Sequence, residues 1–215
     1  MDSATRGGLR FVSLMVDATS GVDVEPFRVA LGSRGLASTF WVDPSRLVER
    51  PEYWRKFVAE GHEVANGTFL DAAGLDGRLD RWTLAMVNDE LAETKKLWFE
   101  VFGTGASQVV AVPFGERAAH DGDYLDHLVG LGVTVCASSL ANGIAVWPAR
   151  STQPDDLTAG MIHAVHLTRA ADNRPYFDET VLNEWASWAA GLPKGIVATV
   201  SHALGHHSAS QIAGT

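Results

Sequence analysis

The chain has 215 residues, of which 46% are hydrophobic and 20% charged, and its formal net charge is −9. That length and apolar content suit an α/β domain with a sizeable core and exclude a disordered chain. The acidic balance, with no run of Lys or Arg, excludes non-specific binding to nucleic acid or to an anionic membrane surface, since both need a basic patch.

Short apolar runs alternate with amphipathic stretches, the pattern of β/α units around a parallel sheet. A first strand is predicted over Leu9 to Asp17, where FVSLMV is apolar enough for burial on both faces. A helix follows from Val24 to Arg34, with Gly35 just past its end, then a strand over Ala37 to Val42. A second helix runs from Pro51, well placed in a first turn, to Glu60 and Gly61. The longest helix spans Leu79 to Phe102: Leu84, Val87, Leu91 and Trp98 recur at helical spacing and Gly103 closes it. Further strands are predicted at Gln108 to Val112, Val133 to Ala137, Ile144 to Trp147, Met161 to His166 and Ile196 to Val200. Helices fill Gly122 to Gly130 and Asp178 to Ala190. Loops are marked at Asp71 to Gly77, Gly103 to Ser107, Arg150 to Leu157 and Ala170 to Pro175. With no repeat and no low-complexity segment, residues 1–215 read as a single domain, of which about 208–215 form a flexible tail.

The single cysteine, Cys136, excludes internal disulfides and sits in the apolar run GVTVCASS, as a buried, inert thiol would. The N-terminus MDSATRGG lacks the features of a secretory signal, and no apolar stretch reaches membrane-spanning length. These readings predict a cytoplasmic protein whose partner is a small molecule, with neither nucleic acid nor membrane involved.

Parallel α/β folds bind ligands at the carboxyl ends of their strands, so the residues there are the candidates for chemistry. Asp17 ends LMVD; as a plain turn residue it would cap a strand end. Asn66, Thr68 and Asp71 follow GHEVA and could equally cap backbone groups at a helix start. Phe114 and Glu116 lie in the VPFGER turn, Glu116 and Arg117 reading equally as a solvated pair. Ser138, Ser139 and Asn142 follow the VCA strand and carry no acid or base. His166 ends GMIHAVH, and an imidazole near neutrality suits a general acid. His163, three residues earlier on a strand, points to the opposite face. His62 reads as structural, and His202, His206 and His207 as a surface cluster without acidic ligands beside them. Most of the seven tryptophans are core residues, though Trp41 and Trp147 could line a pocket, and an apolar pocket suits an aromatic or polyketide-like molecule better than a sugar polymer.

Four of these segments, STFWV, GHEVANGTFLD, VPFG and the histidine-ended strand, occur in an order that resembles the polysaccharide deacetylase (NodB-homology, carbohydrate esterase family four) family. The likeness runs from Phe11 to Val200, where GIVATVSHAL resembles the family's final F-V-T-L-S-E-L strand. It implies an α/β fold of a particular kind, a distorted, partly open (β/α) barrel with parallel strands inside and helices outside. It also implies where chemistry has been lost. The family's G-H-E-I-G-N-H-T-x-x-H segment supplies two metal-binding histidines, and here those positions are Gly67 and Asp71. Its R-x-P-x-G turn carries an arginine that orients the catalytic base, and here that position is Ala111. Its T-F-D-D-G motif supplies base and metal ligand in succession. Either Asp17 is the ligand and Val16 replaces the base, or Asp17 is the base and Ala18 replaces the ligand. His166 falls on the family's general acid.

An Asp17–Asp71 pair without imidazole or thiolate is a poor zinc site, so a divalent metal there is disfavoured and no cofactor is expected. The expectation is therefore a carbon–nitrogen hydrolase fold adapted to a small intracellular metabolite. Asp17 and His166 would face each other across the barrel mouth as base and acid for proton transfer, dehydration or cyclisation, or amide hydrolysis. Asn66, Thr68, Asp71, Trp41, Phe114, Glu116, Ser138 and Trp147 would line the substrate pocket. The alternatives are a residual metal-dependent deacetylase hydrolysing an N-acetylated substrate, and a non-catalytic ligand-binding or regulatory protein.

Overall fold

The computed structural model describes residues 11–18, 23–67, 81–103, 109–111, 118–131, 134–136, 144–148, 162–167, 169–171, 174–176 and 178–203. In chain order the elements are β1 (Phe11–Asp17), α1 (Glu25–Gly32), β2 (Ser38–Val42), α2 (Pro44–Glu49), α3 (Pro51–Ala59), β3 (Glu63–Asn66) and α4 (Leu84–Phe102). They continue with β4 (Val109–Ala111), β5 (Ala118–Ala119), β6 (Gly122–Asp123), α5 (Tyr124–Gly130), β7 (Thr134–Cys136) and β8 (Ile144–Pro148). The last are β9 (Ile162–His166), β10 (Arg169–Ala171), β11 (Arg174–Tyr176) and α6 (Glu179–Ala190).

Seven strands form one sheet in the order β7-β4-β3-β2-β1-β9-β8, and every pairing in it is parallel. Consecutive strands β7 and β8 are its two edges. This is the (β/α) barrel of the polysaccharide deacetylase type, open between those edges among the described residues.

Strand alternation sorts the sheet into two rows. Val12, Leu14, Val16, Phe40, Val42 and Val64 form one buried cluster with Phe27 and Leu31 of α1, Trp54 and Phe57 of α3, Trp98 of α4 and Trp185 of α6. This is the helix-facing row, and each large side chain buried in it contributes roughly 1.5–3 kcal/mol. Phe40 meets Phe57 edge-on at 4.7 Å, a geometry aromatic rings favour. The opposite row runs through Ser13, Met15, Thr39 and Trp41, all buried, together with Glu63 and Ala65.

Helix ends follow their local chemistry. Thr83 accepts from the Met86 N–H at the start of α4, which therefore begins five residues later than its apolar spacing suggests. Gly103 closes α4 in the left-handed region at φ +71°, where a side chain would be strained. Asp178 caps α6 through the N–H groups of Thr180 and Val181, as a cap Asp does. Trp82 lies before α4, not in it, and packs with Val87, Tyr124 and Leu128 in a second cluster.

Four sequence expectations need correction. The short helix α2, capped by Asp43 through the Ser45 N–H, was absent from them. Ala170 to Pro175, expected as a loop, contributes to the antiparallel pair β10–β11. The expected helix from Gly122 begins at Tyr124, since Gly122 and Asp123 pair with β5. Ile196 to Val200, expected as a strand, joins the sheet among the described residues only through a bridge between Val197 and Val12. Its backbone is drawn instead into a polar plug at the amino ends of the strands. Ser13 donates to the Ala198 carbonyl at 2.9 Å, and Thr39 accepts from the Val200 N–H at 2.9 Å while donating to Glu63 at 2.9 Å. Glu63 also accepts from the Ser201 N–H and hydroxyl. The buried hydroxyls of Ser13 and Thr39 in the floor of the barrel are thus satisfied.

Candidate active site

The strand register fixes which residues reach the carboxyl end of the sheet on the row opposite the helices. Asp17 pairs with Trp41. His166 pairs with Met15 on one side and with Pro148 on the other. Ala111 pairs with Cys136, one residue past Val110, the partner of Asn66. The inner row therefore ends in Asp17, Trp41, Ala111, Cys136, Pro148 and His166, with Gly67 immediately following β3. Hydrogen bonds continue past the strands: the Ala18 N–H donates to Trp41, Gly67 to Val42 and Leu167 to Met15.

Asp17 and His166 thus stand on adjacent strands, β1 and β9, not on opposite walls of the mouth. Asp17 lies two residues beyond the partner of His166, which at ordinary strand spacing separates the two Cα atoms by ~8 Å. The expectation that they oppose one another across the barrel is corrected. Their common row is the one expected. His163 pairs with Val12 and so falls in the other row.

Two residues expected to line a substrate pocket stand on the wrong row. Asn66 is 1% exposed and pairs with Val42, a member of the helix-facing cluster. Trp147 pairs with Val165, itself the partner of Leu14, and so takes a helix-facing position. Both misplacements have one cause: a one-residue step along a strand exchanges its faces. Trp41 is buried at 3% exposure and stands beside Asp17. Thr68, Asp71, Phe114, Glu116 and Ser138 lie outside the described residues.

The same alternation bears on the metal position. Val16 is fully buried in the helix-facing cluster and does not reach the inner row. Gly67, where the resembling motif has a histidine, is buried and offers no side-chain ligand atom. Among the described residues no group of three or more His, Cys, Asp or Glu could hold a metal ion. A donor set of Asp17, Gly67 and Asp71 lacks the imidazole or thiolate that a zinc site needs.

His62 belongs elsewhere. It precedes β3 at the amino end of the sheet, 4% exposed, with Nδ1 2.8 Å from the Ser38 hydroxyl. Its ring meets Phe40 edge-on at 5.3 Å, and burial lowers its pKa below the usual histidine value. It is a structural residue.

Sequence reasoning missed Arg46. From α2 its guanidinium donates through Nη1 to the carbonyl of Ala18 at 3.1 Å, directly after Asp17. The signal available was the Asp43–Pro44 turn that follows the end of β2 and starts α2.

No family model and no curated protein sequence matches the chain. Solved structures do. The peptidoglycan deacetylase PdaC from Bacillus subtilis superposes with a TM-score of 0.61 at 15% identity, over 96% of this chain and 95% of that one. A family 4 carbohydrate esterase from Streptomyces lividans, in complex with acetate, gives 0.54 at 18% identity, over 86% and 89% of the two chains. A family 4 pseudoenzyme from Bacillus anthracis gives 0.59 at 12% identity, over 91% of this chain and 66% of that one. At such identities the likeness establishes a shared fold, and it bears out the resemblance read from the sequence.

Proposed function

We propose that this chain, which has the polysaccharide deacetylase fold, is an acid/base enzyme acting on a small intracellular metabolite without the metal of the fold's deacetylases. One observation carries the reading: of the strand-end positions on the inner row, the two with acid/base side chains suited to neutral pH, Asp17 and His166, occupy neighbouring strands ~8 Å apart at Cα. A carboxylate and an imidazole so spaced can address adjacent atoms of one bound molecule. Asp17 takes the base position of the family motif and Ala18 the vacant ligand position, because Val16 is committed to the helix-facing cluster.

The chemistry best suited to this pair is proton transfer with loss of water or ring closure. Asp17 removes a proton from carbon or hydroxyl, and His166 delivers one to the departing or developing oxygen, so that protons balance over the step. Metal-assisted amide hydrolysis is not supported, since Gly67 contributes no ligand. That the fold also serves a pseudoenzyme makes a non-catalytic role the outcome to exclude. The test is complementation of a gene deletion with wild type, Asp17→Asn and His166→Ala, followed by metabolite profiling. Wild type restores the product and both variants fail while retaining their melting temperature. Restoration by both variants rejects the acid/base reading.

A further inference from the structure

At the rim beside Asp17, α2 and α3 bound a groove of ≈ 680 Å³ lined by Asp23, Arg46, Glu49, Arg50, Tyr53 and Lys56 among others. Its cations differ in how far they are satisfied. The Arg50 guanidinium stacks on the Tyr53 ring at 4.2 Å. Lys56 interacts electrostatically with Glu25. Among the described residues Arg46, half-buried, makes a single side-chain hydrogen bond, to the neutral Ala18 carbonyl, and pairs with no carboxylate. The acids nearby are otherwise occupied or set apart. Glu25 is held by Arg28, Asp23 accepts from the Glu25 N–H, and Glu49 is exposed without bonding Arg46. A partly desolvated guanidinium with spare donors and no carboxylate bonded to it among the described residues is a site for an anion, preferably a planar one that takes two parallel N–H bonds.

We propose that Arg46 binds an oxyanion, carboxylate or phosphate, carried by the small molecule on which Asp17 acts. Arg46 is then the specificity residue that joins the groove to the reacting end. This deepens the function proposed above and rests on it for the orientation of the substrate, but the anion site itself is independent of catalysis.

The Trp54 indole reports on the site directly, because its Nε1–H donates to the Arg46 carbonyl at 3.0 Å. Its ¹H–¹⁵N resonance, assigned with Trp54→Phe, is followed during titration with sodium benzoate, inorganic phosphate and, at matched ionic strength, sodium chloride. The expected result is a saturable shift with benzoate or phosphate at roughly 1–10 mM, and a flat response to chloride. The affinity falls at least about tenfold in Arg46→Ala and Arg46→Gln and is retained in Asp17→Asn. Should Arg46→Ala lose the dispersion of the other indole signals, the Arg46→Gln titration decides. An equal response to chloride, no saturation by about 50 mM, or undiminished affinity in the folded arginine variants overturns the proposal. Failure of the catalytic reading is seen separately, as product formation by Asp17→Asn with anion binding intact.

Discussion

Asp17 ends β1 two residues beyond Met15, and Met15 is the cross-strand partner of His166, so aspartate and histidine are set by one hydrogen-bonded ladder. Their separation is therefore a property of the strand register, not of a mobile loop, which is how a rigid scaffold keeps an acid and a base in fixed relation. Asp17→Asn and His166→Ala are each expected to lower product formation about 10²- to 10⁴-fold. In the proposed mechanism the two act on one substrate in one step, so the double variant should be scarcely worse than the poorer single one. Full additivity in a product assay would place the two residues in separate roles.

Metal content gives a second expectation. Purified wild-type protein should carry less than roughly a tenth of an equivalent of zinc, nickel, cobalt, manganese or iron, since Gly67 supplies no donor. Gly67→His combined with Asp71→His and Ala18→Asp, which refills the vacant ligand position, should raise uptake to about one equivalent of zinc. Elemental analysis decides both, and stoichiometric metal in the wild type would restore the deacetylase reading.

The helices and strands were legible where periodicity and punctuation agreed. Gly103 past α4 and Asp178 before α6 mark real termini, and the apolar runs of β1 and β2 are buried on both faces. What escaped was set by partners distant in sequence. Ile196 to Val200 has strand composition, but the Ala198 carbonyl is claimed by Ser13 and the Val200 N–H by Thr39 across the floor of the barrel. Asn66 and Trp147 have plausible chemistry for a pocket, yet the register turns their positions toward the helices. Arg46 was invisible because the value of a guanidinium depends on the carbonyl it meets, Ala18, twenty-eight residues away.

Stability should depend on the bridge that Arg28 makes between helices. Its guanidinium bonds both carboxylate oxygens of Glu60, at 2.7 and 2.6 Å, and both of Glu25, tying α1 to the end of α3. Hydrogen bonding to Glu25 and Glu60 raises the arginine pKa, and Arg28 is only 9% exposed. Arg28→Ala leaves two partly exposed carboxylates without their cation, and part of that cost is relieved by water. Urea unfolding should show a loss of about 1–3 kcal/mol, most of it retained in Arg28→Met, which keeps the packing of the stem. Recovery of wild-type stability by Arg28→Met would assign the effect to packing.

His62 should make the fold acid-sensitive. Desolvation lowers its pKa in the folded protein; the Glu60 carboxylate opposes that shift and Arg28 adds to it. Its Nε2 is buried without a hydrogen-bond partner among the described residues, so protonation would place a charge where none of them accepts the new N–H. The folded state therefore binds fewer protons than the unfolded chain as pH falls through the ordinary histidine value of 6.5. The contribution of the neutral ring is fully present above that pH and is lost progressively below it. Melting temperature should accordingly drop between pH 7 and pH 5, and the drop should be shallower in His62→Gln, which has no titrating group there. His62→Gln will also start from a lower value, because the fit against Phe40 and the Ser38 contact are disturbed. Parallel pH profiles for the two proteins would show that the acid sensitivity resides in other groups.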